Sequence, residues 1–131
     1  FIQRYPFALI VGSDTNANIS ATHIPLLLEQ REKKLFLQGH IMRNTDHYEA
    51  FLENNQVLVV FSGPNAYVSA SWYEQPHQGS TWNYMTVHCR GKMRFMDESE
   101  FANMMHKFTL HFEEDDSASP AIFSNLSDSY K

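Results

Sequence analysis

The sequence predicts a mainly β, α+β fold: a six-stranded antiparallel barrel with two helices. Three observations carry this reading. Short apolar or alternating runs, separated by turn residues, recur along most of the chain. Only two stretches have helical periodicity, and one of them is inserted in the middle of the strand series. The regular strand–helix alternation of a parallel sheet is missing.

The elements follow in order. Phe7 to Val11 is apolar throughout, Asp14 to Asn18 is turn chemistry, and Ile19 to Leu28 resumes the apolar run as a second strand. "QREKK", Gln30 to Lys34, reads as a solvated hairpin turn before a third strand, Leu35 to His40. Thr45 to Asn54 reads as a short helix, with Tyr48, Phe51 and Leu52 at i, i+3, i+4 spacing and Asn44 or Thr45 as N-cap. "QVLVVFSG" is a fourth strand, followed by a Gly63-Pro64-Asn65 turn and a short strand from Ala66 to Ser69. Ser71 to Ser80 is loop, broken by Pro76 and Gly79, and Trp82 to Met96 alternates as a long sixth strand. "DESE", Asp97 to Glu100, has capping-box form and opens a helix carrying Phe101, Met104, Met105, Phe108 and Phe112 toward a core. From Glu113 the chain turns acidic and Ser-rich, without another strand signal.

The 131 residues, 43% hydrophobic, suffice for one domain with its own core. No apolar run is long enough to span a bilayer, and no secretory signal is visible. The chain opens on Phe1 rather than Met, as a fragment or processed form does. A single Cys89 fits a reducing cytoplasm and reads as a small buried hydrophobe. Net charge −5 disfavours direct DNA binding by this segment, because such binding depends on neutralising phosphates with Lys and Arg. The aromatic content of 14% gathers between Tyr67 and Tyr84, which suits a planar ligand or a subunit interface.

Few motifs carry chemistry. Seven His invite a metal site, and His23, His40 and His88 could converge in a barrel, yet no zinc-type spacing occurs. His106 and His111 read as surface residues. Ser62, Ser69 and Ser71 lie in no nucleophile elbow, and there is no dinucleotide or P-loop fingerprint. "GHIMRN", Gly39 to Asn44, remains: a Gly permitting close approach, a forked cation at Arg43, and a following helix whose free N–H groups attract an oxyanion. Its other reading is an ordinary turn, with Arg43 paired to a surface acid and Asn44 acting only as cap.

Four blocks, "ATHIPLLLE", "GHIMRNTDHYEAF", "VLVVFSGPNAYVSASWYEQP" and "TWNYMTVHCRGKMRF", resemble in order the PaiB family of FMN-binding negative transcriptional regulators. The resemblance runs from about Phe7 to Phe112. It implies an FMN-binding split barrel related to pyridoxamine phosphate oxidase, homodimeric, with FMN at the subunit interface. It implies that Thr22, His23, Ile24 and Pro25 edge the flavin ring, that Gly39, His40, Arg43 and Asn44 meet the phosphate and ribityl chain, and that Trp82 and Asn83 approach from the other subunit or a facing strand. Trp72 becomes a wall of the site or part of the interface, and Tyr73 packs at that interface. The chain departs from the family pattern at Ala70, where Pro is usual, and after "LSDSYK", where members continue into a further helix and barrel strand.

The function so implied is a cytoplasmic flavin protein acting as a transcriptional regulator or redox sensor, with a small-molecule substrate or effector as a further partner. Two rivals stand beside it. One is an FMN-dependent oxidoreductase acting on a nicotinamide or another small substrate. The other is a split barrel holding haem or another planar ligand, with His23, His40 or His88 as axial ligand.

Overall fold

The structure, a computed structural model, describes all of residues 1–131. Six antiparallel strands form a barrel split into two sheets. Strands β1 (Phe7–Ser13), β2 (Ile19–Pro25), β5 (Gln56–Val68) and β6 (Thr81–Lys92) make a four-stranded sheet in the order β2-β1-β5-β6. Strands β3 (Leu27–Arg31) and β4 (Lys34–Gln38) form a separate hairpin. Helix α1 (Asp46–Glu53) lies between β4 and β5, and α2 (Glu98–Phe112) follows β6.

The six expected strands are present in number, but two are composed differently. The run Ile19 to Leu28 is not one strand: it divides at Leu26, whose N–H bonds Pro6 O at 2.9 Å and whose side chain is buried. Pro25 has no N–H to continue a ladder, and past it the chain leaves β1 for β4. Conversely, Gly63-Pro64-Asn65 is no turn. The β5–β6 register shifts between Ser62 and Asn65, so the segment is a bulge inside one strand reaching Val68. A bulge accommodates a Pro that cannot donate to the ladder. The third strand ends at Gln38 rather than His40, and β6 ends at Lys92 rather than Met96.

Turn chemistry is as expected. Asp14 Oδ1 accepts from the N–H groups of Asn16 and Asn18 at 2.8 and 2.9 Å, fixing the β1–β2 turn. "QREKK" is the β3–β4 hairpin turn, with Glu32 in the left-handed region at φ 55°.

The core lies on one face of the four-stranded sheet. Ala8 and Ile10 of β1, Val59 and Phe61 of β5, and Ala50 and Phe51 of α1 are buried with Leu26. Ile24, Val87, Cys89 and, from the hairpin, Leu37 pack around them. Gly12 is required here: a Cβ on it would lie 2.6 Å from the Phe51 ring. Thr45 is the N-cap of α1, its Oγ1 accepting from Tyr48 N at 3.3 Å. Phe51 faces inward as the periodicity implies, but Leu52 is exposed, because so short a helix turns only one narrow stripe to the sheet.

The capping box of α2 is formed by Asp97 and Glu100. Of its predicted apolar stripe, Met104 and Phe108 are buried whereas Phe101 and Phe112 are about two-fifths exposed. The acidic, Ser-rich tail makes no strand. It folds back on α2: Ile122 is fully buried, Phe123 N donates to Thr109 Oγ1 at 2.9 Å, and the Phe101 and Phe123 rings meet edge to face.

Candidate functional site

Eight of the ten candidate residues gather at one corner of the fold, where the end of β2 meets the segment linking β4 to α1. Gly39 makes the meeting possible. A Cβ there would stand 2.7 Å from Leu26 Cδ2, 2.8 Å from the Pro25 carbonyl oxygen and 3.4 Å from Ile24 Cδ1. Only a residue without a side chain lets the segment lie this close to β2. On β2, side chains alternate. Thr22 and Ile24 pair with the buried Ile10 and Ala8 on the core face, while His23 and Pro25 turn to the opposite face, where the His23 ring stacks on Phe7 at 5.8 Å.

The segment then runs past α2 toward α1. The exposed His40 ring meets Phe108 edge to face at 5.4 Å, tying the segment to α2. Ile41 packs on the core. Met42, Arg43 and Asn44 are exposed, and Asn44 holds the left-handed conformation at φ 60°. None of the backbone N–H groups of residues 41–46 donates to any atom of the protein. Six consecutive donors without a protein acceptor, leading into a helix N-terminus, make this stretch a candidate anion cradle, open to a phosphate.

Arg43 stands beside these donors without an ion pair or hydrogen bond of its own, since the ion pairs of the chain join Arg31 to Glu29, His47 to Asp46 and Arg94 to Glu100. Asn44 is not the cap, a role that falls to Thr45, whose Oγ1 also donates to Met42 O at 3.0 Å. The ordinary-turn reading of "GHIMRN", with a paired Arg43 and a capping Asn44, is therefore not what the chain adopts. The cradle fits a phosphate-bearing cofactor: a forked cation, free N–H donors, and a close approach that a Cβ would block. Asp46 and Glu49 in the first turn of α1 are the carboxylates placed against an anion there.

Trp82 and Asn83 lie elsewhere. They sit on β6, the far edge of the sheet from β2. Beyond Ser62, β5 and β6 pair only with each other, as a two-stranded ribbon projecting past β1. Trp82 and Asn83 point to opposite faces of it; Trp82 stands on Tyr67, ring centroids 5.5 Å apart, and is 60% exposed. Tyr84, Met85, Trp72 and Tyr73 are exposed on or beside the same ribbon.

His23, His40 and His88 do not converge. His23 and His88 share a row through Leu9 and Val60, which puts them three strand spacings, about 14 Å, apart. No group of three potential metal ligands occurs. His106 and His111 are on the surface as expected, with His106 Nδ1 3.1 Å from Ser124 Oγ.

Sequence reasoning missed the backbone donors, which no side-chain pattern announces, and the role of Phe108, which reads as plain core yet also carries His40. A shallow depression of about 360 Å³ among Val11, Ser13, Gln56, Leu58 and Arg90 contains none of the candidate residues.

Comparison with known proteins shows the family. The family described as "Putative FMN-binding domain" matches residues 1–131. The "Protease synthase and sporulation protein PAI 2" of Bacillus subtilis is 31% identical over 131 residues, covering 97% of this chain and 60% of that protein. An uncharacterized protein of Saccharomyces cerevisiae is 28% identical over 110 residues, covering 77% of this chain and 64% of its own length. The chain thus spans about three-fifths of the length of these relatives. A crystal structure of a "putative 5-nitroimidazole antibiotic resistance protein" from Bacteroides thetaiotaomicron superposes with a TM-score of 0.60, covering 95% of this chain and 70% of that one. At 20% identity that likeness concerns the fold alone. The family match over residues 1–131 and the Bacillus relative show the family: the chain belongs to the PaiB family of FMN-binding split barrels, and FMN is its cofactor.

Proposed function

We propose that residues 1–131 form one FMN-binding unit of a cytoplasmic, homodimeric flavin sensor that regulates transcription. The observation that carries the reading is the run of free N–H groups at 41–46 beside the unpaired Arg43. There the FMN phosphate is held, with Arg43 as the forked cation and Gly39 admitting the chain beside it. Ile24 and Pro25, in contact with Gly39, carry β2 along the edge of the bound cofactor, with Thr22 and His23 beside them. FMN, when bound, supplies electron transfer, which no side chain of this protein offers. What the protein contributes is grip, orientation and exclusion of water.

The exposed aromatic ribbon supports the dimer. Tyr67, Trp82 and Tyr84 are each at least half exposed, more apolar surface than a lone chain keeps in one place without use. In that dimer Trp82 and Asn83 reach the flavin from the partner. The regulatory reading draws on the name of the Bacillus relative, a "protease synthase and sporulation protein". A location in the cytoplasm is supported by the lone, unpaired Cys89; no helix is long and apolar enough to cross a membrane.

The test is the visible absorbance of the purified protein, with and without added FMN, for wild type and Arg43→Ala. Loss of one charge-assisted contact is worth about 1.5–3 kcal/mol, or about tenfold to a hundredfold in Kd. Wild-type affinity in Arg43→Ala would place the phosphate elsewhere. Light scattering should read twice the 15.2 kDa chain mass.

A further inference from the structure

A second polar cleft lies on the far side of the hairpin. Its volume is about 180 Å³, and its walls are the hairpin β3–β4 and the helix α2. Glu100, Asn103, Met104 and Lys107 stand at i, i+3, i+4 and i+7, so one face of α2 forms one wall. Arg31 and Gln38 come from the hairpin, and Arg94 from the strand-to-helix connection closes the end.

The charge there runs against that of the whole chain. Three of its ten cations, Arg31, Arg94 and Lys107, gather in a protein of net charge −5. Glu29 and Glu100 neutralise only two of them. Both arginines are fixed: Arg31 Nη2 donates to Glu29 Oε2 at 3.0 Å and its guanidinium lies 4.9 Å from the Phe36 ring centroid; Arg94 holds Glu100 through two bonds of 2.8 and 3.1 Å. Each guanidinium has five N–H donors, so both keep donors to spare. Lys107 and the Asn103 amide donate to no protein atom. Arg31 and Arg94 also repel each other, which an anion between them would relieve.

We propose that this cleft binds a small dianion of the phosphate class, at a site distinct from the FMN cradle. A guanidinium on the hairpin wall, another at the closed end, and an ammonium and amide on α2 suit a tetrahedral anion, which accepts from several directions; a planar carboxylate is served by one fork.

The experiment titrates 15N-labelled, FMN-saturated protein with inorganic phosphate at constant ionic strength, following the side-chain amides of Asn103 and Gln38. Saturable shifts of both are expected. Lys107→Gln, an exposed change that leaves the fold intact, weakens them about tenfold, Lys107→Arg restores them, and Arg43→Ala leaves them unchanged. Linear, unsaturating shifts, or equal affinity in Lys107→Gln, overturn the proposal. So does loss of the shifts in Arg43→Ala, which would make them depend on the cradle and its bound FMN rather than on the cleft. A parallel titration with glycerol 3-phosphate tells the two sources apart: tighter binding identifies a phosphomonoester as the ligand, equal binding free phosphate.

Discussion

Gly39→Ala tests the packing on which the cradle rests. The added methyl would fall 2.7 Å from Leu26 Cδ2 and 2.8 Å from the Pro25 carbonyl oxygen. Neither neighbour can yield easily: Leu26 is 5% exposed and belongs to the core, and the oxygen is backbone at the end of β2. Overpacking of this kind costs about 1–3 kcal/mol. Gly39 has no positive φ, so Ala adds no backbone strain and gains about 0.4–1 kcal/mol by restricting the unfolded chain. The balance is a loss of about 1–2 kcal/mol, which in a domain of this size lowers Tm by roughly 3–8 °C. Relief comes by moving the segment off β2, so FMN binding should weaken together with stability. Differential scanning calorimetry and FMN titration read the two effects. Gly79→Ala, with nothing within 4 Å of the new methyl, is the control and should be neutral or slightly stabilising. An unchanged Tm and FMN affinity in Gly39→Ala would refute the argument that close contact with Pro25 shapes the site.

Thr45→Ala removes the N-cap of α1 and the bond to Met42 O; urea denaturation should show a loss of about 1 kcal/mol, with weaker FMN binding since both bonds shape the cradle. Acid should loosen the start of α2 first. The Arg94 guanidinium, and then the Asp97 N–H, hold the Glu100 carboxyl below its ordinary 4.5, so its contribution is complete above that pH and is lost as pH falls through the lower folded value. The protection factors of the first-turn amides of α2, each referred to the intrinsic exchange rate at its own pH, should fall from pH 6 to pH 3 in wild type and change less in Glu100→Gln.

Local signals were legible and long-range ones were not. The Asp97–Glu100 box, the Asp14 turn and the "QREKK" hairpin depend on residues within four positions of one another, and each formed as its spacing implies. The division at Leu26 depends instead on a choice of partner: Ile19 to Leu28 is one apolar run, but β1 takes its first part and β4 its last. Likewise Gly63-Pro64-Asn65 has turn composition, and pairing with Thr81–Lys92 absorbs it as a bulge. Of the candidate site, Arg43 and Gly39 could be named because their chemistry is in the side chain or its absence. The free N–H donors around them belong to every residue type alike and become a site only through the conformation of the segment.

The remaining distance, between the cradle and the ribbon, yields a decisive experiment on the proposed dimer. β2 and β6 are opposite edges of one sheet, about 14 Å apart before the ribbon even leaves it. In the proposed dimer, a flavin whose phosphate sits at Arg43 meets Asn83 of the second chain. Arg43→Ala and Asn83→Ala should each weaken FMN binding as homodimers. Mixed and allowed to exchange subunits, they form heterodimers in which one site has lost both residues and the other has lost neither. If the site is shared, the equal mixture regains wild-type affinity in about a quarter of its sites, because half of the dimers are mixed and each carries one intact site. If both residues serve the flavin within a single chain, every site in the mixture keeps one defect, and mixing restores nothing.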